Sequence, residues 1–366
     1  MSNPRSCVGF FVLALIATSA APAPAHTPAS ARARAHKHAS APVPVPSPSN
    51  GFDLSRSDIV SFVDEVTARN SLDRRSVLAL LAKAEPQPKV IERITKPAER
   101  VLEWWEYRER FVNEKRVADG IQFWDEHRAS LERTAAERGV PPEFIVAILG
   151  AETNYGRVTG RDRVIDALTT LAFDFPPRQA YFRAELEQFL LLVREEKIDP
   201  VTVLGSYTGA MGAPQFMPSN YRQFAVDANA DRQRNLWTDW DDVFASIANY
   251  FSAFGWVPGA PVIAPALLDP DPDFQFDPRN LELNETLESL NVKGVRVGDD
   301  APPPATPVVL VSAEEKDGPA YRVGFQNFYV ITRYNRSARY AMAVNDLARA
   351  ISERIRGIQP PTTGTR

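Results

Sequence analysis

The 366-residue chain has a single cysteine, Cys7, and only four histidines and four methionines. Cys7 precedes the apolar run at residues 8–17, whereas a lipid-anchored cysteine would follow such a run. With a leader removed no cysteine would remain, which excludes disulfides, thiolate metal sites and a cysteine nucleophile. A basic surplus is also lacking. The formal net charge is −4 and the isoelectric point about 5.8, so nothing electrostatic points to nucleic acid as a partner. The apolar run is too short to span a bilayer as a helix, and no repeat of solenoid length is visible.

What is present begins with an export signature over residues 1–25. Arg5 supplies the positive start, residues 8–17 the apolar stretch, and Ala23-Pro24-Ala25 or Ser19-Ala20-Ala21 a small-residue cleavage site. An uncleaved anchor is the alternative reading. Residues 26–50 are rich in Ala and Pro and cannot bury enough apolar surface to fold, so they are expected to be a disordered linker. The basic cluster Arg32, Arg34 and Lys37 within them suits contact with an anionic membrane or wall, or simply solvent.

Helical spacing dominates residues 52–256: Ile59, Phe62, Val63 and Val66 recur on one side, as do Val77, Leu80 and Leu81. Pro141-Pro142-Glu143 is a strong helix start, because proline tolerates the first turn and an acid suits the positive helix end. After Trp256 the chain turns proline- and acid-rich. Strands are expected at 308–311, 321–324 and 328–331, and a helix over 338–355. The reading is a mainly α (α+β) catalytic domain over 51–355 with a small β-containing insertion near the C-terminus, then a flexible tail over 356–366.

The most telling residue is Glu152. Ile145, Ile148 and Leu149 define the apolar stripe of a helix expected to stop near Gly156, and Glu152 falls on that stripe. A buried carboxyl costs several kcal/mol unless paired, and desolvation raises its pKa. Two readings compete: a structural glutamate paired with Arg157, Arg161 or Arg163, or a general acid kept protonated near neutral pH. A glycine-rich stretch over 205–218 follows, with Ser206 and Gln215 as polar handles and Met211, Phe216 and Met217 as an apolar wall. No lysine follows its glycines, so it is not a Walker phosphate loop. Aromatic residues beside amides suit the apolar faces and hydroxyl edges of sugars. Most belong to the core, but Tyr334, Asn335 and Tyr340 lie in a polar stretch and are expected to be exposed.

Several stretches together resemble the soluble and membrane-bound lytic transglycosylase B family, which cleaves murein. They are Val140-Pro141-Pro142-Glu143, Gly150-Ala151-Glu152-Thr153-Asn154-Tyr155-Gly156-Arg157, Gly209-Ala210-Met211-Gly212, Gln215-Phe216-Met217-Pro218-Ser219, Ser246-Ile247-Ala248-Asn249-Tyr250-Phe251 and Ile331-Thr332-Arg333-Tyr334-Asn335. The resemblance implies a lysozyme-like helical core with flanking helices, and Glu152 as the single catalytic carboxyl group. Ser206, Gln215, Tyr250 and Asn335 would line the groove, with Tyr107 and Tyr340 as further lining residues. It also implies cleavage of the MurNAc–GlcNAc β-1,4 bond to leave 1,6-anhydro ends, a periplasmic location, a monomer, and peptidoglycan strands as partner. Cell-wall synthesis or remodelling proteins are candidate further partners. No second acid stands out beside Glu152, although Asp162, Asp166 and Asp174 are near in sequence.

No cofactor is required by this chemistry. The family can carry a calcium loop, and Asp227, Asn229 and Asp231 have the alternating oxygens such a loop needs. The pattern departs at Arg232, where glycine makes the sharp turn, and the closing acid is Asp239, Asp241 or Asp242. A solvated polar loop is the alternative there. For the whole chain, the alternatives are a muramidase-type hydrolase and a non-catalytic peptidoglycan-binding protein.

Overall fold

The computed structural model describes residues 51–96, 102–274 and 277–357. The expected leader and linker, with Cys7, Arg32, Arg34 and Lys37, lie outside the described residues, as does the tail beyond 357. Helices α1 (Ser57–Asn70), α2 (Arg74–Leu81), α3 (Pro88–Thr95) and α4 (Trp104–Phe111) lead into the long α5 (Glu114–Arg138) and α6 (Pro142–Thr153). Then follow α7 (Val164–Asp174), α8 (Gln179–Glu196), α9 (Pro218–Phe224) and α10 (Trp240–Ala253). The chain closes with α11 (Leu287–Val292), α12 (Gln326–Tyr334) and α13 (Ala338–Ile355).

The strands are short. β1 (Asp162–Arg163) pairs with β2 (Leu204–Gly205), and β4 (Leu267–Leu268) with β6 (Val295–Arg296), both antiparallel. The largest sheet is antiparallel in the order β3 (Ile263–Pro265), β8 (Tyr321–Gly324), β7 (Pro307–Ser312), β5 (Glu285–Thr286). Its outer face packs on a small apolar cluster of its own, with Leu287, Leu290, Val308, Leu310 and Phe325. The main core runs instead from Ile59 through α6 to Ile351.

The centre of that core is α6, wrapped mainly by α5 and α13. Residues 145–150 are all buried, so this helix has no solvent-facing side and the expected stripe broadens to its whole circumference. Pro142 opens it and Glu143 sits in its first turn, as the sequence suggests. It ends at Thr153, three residues before Gly156, because Asn154, Tyr155 and Gly156 all turn left-handed (φ 51°, 62° and 78°). Packing holds this turn. The Tyr155 ring fills a slot left by Gly120 and Gly150, where an added Cβ would lie 2.6 and 2.8 Å from it, and its hydroxyl donates to the Arg116 carbonyl at 2.7 Å.

One expected strand is a helix. Residues 328–331 belong to α12, since a short apolar run fits either a strand or a buried helix. The buried Asn327 anchors it: its amide donates to the Val257 and Ala260 carbonyls at 2.9 and 3.0 Å and accepts from the Val257 amide at 2.8 Å. The other two strands and the helix over 338–355 are present as expected.

Candidate active site

Glu152 is in the last turn of α6, where the helix leaves the core and the side chain regains part of its access to solvent. No arginine or lysine among the described residues lies within 4.0 Å of it. Arg157 pairs with Asp119 at 2.6 Å and Arg163 with Asp166 at 3.4 Å, while the exposed Arg161 makes no ion pair with any described residue. The hydrogen bond to Glu152 comes from the Tyr340 hydroxyl, which donates to Oε1 at 2.5 Å. Burial pushes the Glu152 carboxyl up to about 7, against the opposing pull of that hydroxyl. No charged neighbour contributes. At neutral pH the group therefore divides between a proton donor and a proton acceptor.

Tyr340 reaches this position because Ser337 caps α13, its hydroxyl oxygen accepting the Tyr340 backbone amide at 3.3 Å. Tyr107 and Tyr334 complete the surroundings. Burial and then the nearby Glu152 charge push the Tyr107 phenol up to about 12, and the same two causes lift Tyr334 and Tyr340 well above their ordinary range. All three are neutral donors at any working pH. Tyr334 and Tyr340 are buried, at 7% and 3% exposure, so the polar stretch around them does not expose them as expected. Their hydroxyls point inward, Tyr334 donating to the Pro214 carbonyl at 2.6 Å.

The glycine-rich stretch is stapled to the end of α6. Thr153 donates its hydroxyl to the Ala213 carbonyl at 2.9 Å and accepts the Gly156 amide at 3.0 Å. Gly160 and Gly205 cross so closely that a Cβ on Gly160 would sit 1.9 Å from the Gly205 carbonyl oxygen. Half-buried Ser206 shapes this stretch, accepting the Ala210 amide at 3.0 Å. Gln215 is held left-handed (φ 53°), its amide nitrogen donating to the Thr159 and Gly212 carbonyls at 3.0 and 2.9 Å. A non-glycine residue in that conformation is strained, a pattern that concentrates at functional sites.

Asn335, next to Tyr334, has a side-chain oxygen with no hydrogen-bond partner among the described residues. Two expectations are corrected. Tyr250 has no accessible surface and donates its hydroxyl to the Arg333 carbonyl at 2.7 Å, so it stands behind Tyr334, ring centroids 5.0 Å apart, instead of lining a groove. Met211, Phe216 and Met217 are likewise buried, as packing under the loop and not a wall. The nearby acids are engaged elsewhere: Asp162 with Arg93 at 2.5 Å, Asp166 with the Glu85 amide at 3.0 Å, and Asp174 with Arg56 at 2.7 Å. The sequence reading missed Thr153 and Tyr155. The only trace of the Tyr155 slot in the sequence was a glycine in each of two helices.

The 227–242 loop keeps two left-handed residues, Ala230 (φ 61°) and Arg232 (φ 72°). Its own hydrogen bonds set its shape. Asp227 accepts the Asp231 and Arg232 amides at 3.1 and 2.8 Å, Asn229 donates its amide to Asp239 at 2.7 Å, and buried Asp242 accepts the Ala228 and Asn235 amides, each at 2.7 Å. Among the described residues no group of three or more His, Cys, Asp or Glu side chains is arranged to hold a metal ion.

The chain is 37% identical over 312 residues to the membrane-bound lytic murein transglycosylase B of Escherichia coli, covering 80% of this chain and 81% of that one. The soluble lytic transglycosylase SltB1 of Pseudomonas aeruginosa has a similar structure, with a TM-score of 0.75 and 43% identity over 81% of this chain and 98% of that one. So does SltB3 of the same organism in complex with NAG-anhNAM-pentapeptide, with a TM-score of 0.69 and 30% identity over 80% and 78% of the two chains. Residues 55–349 match the transglycosylase SLT domain. The chain belongs to the transglycosylase SLT domain family.

Proposed function

We propose that this protein is a lytic transglycosylase that cleaves the MurNAc–GlcNAc β-1,4 bond of peptidoglycan, with Glu152 as its one acid and base. The observation that carries this reading is the solitude of Glu152. Its raised pKa comes from burial, opposed only by one tyrosine hydroxyl, with no second carboxylate acting on it. Glycosidases that use water ordinarily need two carboxyl groups flanking the bond.

In the proposed sequence, protonated Glu152 donates to the glycosidic oxygen and the C1–O bond breaks. The neighbouring N-acetyl oxygen supports the positive C1. Glu152, now a carboxylate, takes the proton from the C6 hydroxyl of the same sugar as O6 bonds to C1. The acid is restored, a 1,6-anhydro ring closes, and no water is consumed. Tyr340 steadies the carboxylate phase by donating to Oε1. Ser206, Gln215, Asn335 and Tyr107 are the proposed sugar-contacting residues, supported by the strained Gln215 backbone and the unpartnered Asn335 oxygen. No cofactor enters this reaction. The protein acts outside the cytoplasm as a monomer, exported by the signature in residues 1–25.

The test is to digest purified sacculi with wild type and with Glu152→Gln and to weigh the released fragments. Anhydro ends, one water lighter than hydrolysed ends and absent with Glu152→Gln, are the expected result. Hydrated ends would make the enzyme a muramidase. Release unaffected by Glu152→Gln would remove Glu152 from the chemistry.

A further inference from the structure

The last turn of α6 leaves one carbonyl without its usual partner. In a continuing helix the Asn154 amide would bond the Gly150 carbonyl, four residues back. Because Asn154 turns left-handed, its amide goes to the Leu149 carbonyl instead, and the Tyr155 amide joins it there at 2.9 Å. The Gly150 carbonyl, two residues before Glu152, is taken by the guanidinium of Arg116, which donates to it from the first turn of α5. The main chain of the same residue holds the other side of the turn, its carbonyl accepting the Tyr155 hydroxyl at 2.7 Å. Arg116 is itself fixed, since its amide donates to the capping side chain of Asn113 at 3.0 Å. Its guanidinium also lies over the Phe111 ring, 5.9 Å from the centroid, and Phe111 packs on Tyr107 with centroids 5.0 Å apart. One side chain of α5 thus meets both α4 and α6.

A cation at a helix C-terminus is ordinarily a stabilising cap. Here the capped turn carries the acid, and the proton affinity of that acid depends on keeping water from it. The groups that face Glu152 are the phenols of Tyr107 on α4, Tyr334 on α12 and Tyr340 on α13, all uncharged. A turn free to unwind at Gly150 would swing the carboxyl away from them and hydrate it. Displacing a reacting group by about 1 Å can cost up to about a hundredfold in rate.

We infer that Arg116 is a positioning residue: by holding the Gly150 carbonyl and the Tyr155 hydroxyl it fixes the last turn of α6, and with it the aim and the burial of Glu152. The kinetic part of the inference rests on the transglycosylase reading. Its test compares wild type with Arg116→Met, which keeps an apolar chain over Phe111 and removes every donor, and with Arg116→Lys, which restores one. Arg116→Met is expected to lower kcat about tenfold on peptidoglycan strands with KM within about twofold, because the sugar-contacting side chains are untouched. Carbon NMR should show the Glu152 midpoint falling from about 7 toward 4.5, and the alkaline limb of the pH–rate profile should move to lower pH. Arg116→Lys should recover part of both. Tyr155→Phe cuts the other half of the clamp and leaves the ring in its slot. It should give the same signature at smaller size, and it carries the test if Arg116→Met does not fold. A fall in Tm with kcat and the Glu152 midpoint unchanged would make Arg116 a structural cap and overturn the inference. So would a midpoint that rises, the effect of losing a nearby positive charge without loosening the turn. Failure of the transglycosylase reading would look different: wild type would release no anhydro ends, while the NMR midpoint would still report whether Arg116 holds Glu152.

Discussion

Two carboxyl groups near the same helix have opposite fates. Asp346, on α13, is pushed up by burial, yet Arg322 and Arg108 outweigh that push and hold it below its ordinary value. Glu152, bonded to Tyr340 on the same helix, meets burial with only a neutral hydroxyl and rises to about 7. Burial alone therefore does not make an acid catalyst; burial without a cation does. The consequences for stability also differ in sign. Asp346, depressed, contributes stability above its unfolded pKa of about 3.8, lost as pH falls through its folded value. Glu152, raised, costs nothing below about 4.5; its penalty grows as pH rises from there to about 7 and levels off above.

The sharpest way to break this contrast is Glu152→Gln. Removing the acid should cost about a thousandfold or more in turnover, while at pH 8 the same change should stabilise the fold by up to about 3 kcal/mol. Thermal melting should show that gain at pH 8 and little of it at pH 4. Asp346→Asn should do the reverse. It leaves Arg108 and Arg322 without their acid and should lower stability by about 2–3 kcal/mol after allowing for their partial exposure, read as a fall in Tm at pH 7. Gly150→Ala tests the support behind Glu152. Alanine normally favours a helix, but here its Cβ would strike the fixed Tyr155 ring, so a loss of about 1–3 kcal/mol is expected by denaturant melting. Tyr340→Phe removes the bond that favours the charged carboxylate, so the alkaline limb of the pH–rate profile should move to higher pH. The smallest effect belongs to the 227–242 loop. With its shape already set by internal hydrogen bonds, chelator or added calcium should leave Tm within about 1 °C, less than a ΔΔG of 1 kcal/mol would produce.

Much of the helical half was readable because helix starts and periodicity are local. Pro142 and Glu143 mark the start of α6, and Ala341, Val344, Leu347 and Ile351 trace the buried side of α13. Residues 328–331 were misread because four apolar residues carry no period, and what makes them helical is Asn327 gripping a loop about 70 residues away. Glu152 stood out as an acid among aliphatic residues. Its state did not, because that depends on Arg157 and Arg163 finding other acids and on a tyrosine 188 residues later. Tyr250 shows the limit of resemblance: its position in a motif says where it lies but not whether it is exposed.

The most direct test is to titrate the Glu152 side-chain carboxyl by carbon NMR in glutamate-labelled protein, assigning its signal by its loss in Glu152→Gln. A midpoint near 7 is expected, and it should climb in Tyr340→Phe. A midpoint in the ordinary glutamate range near 4.5 would mean the carboxyl is solvated or paired, and Glu152 could not serve as the single acid and base.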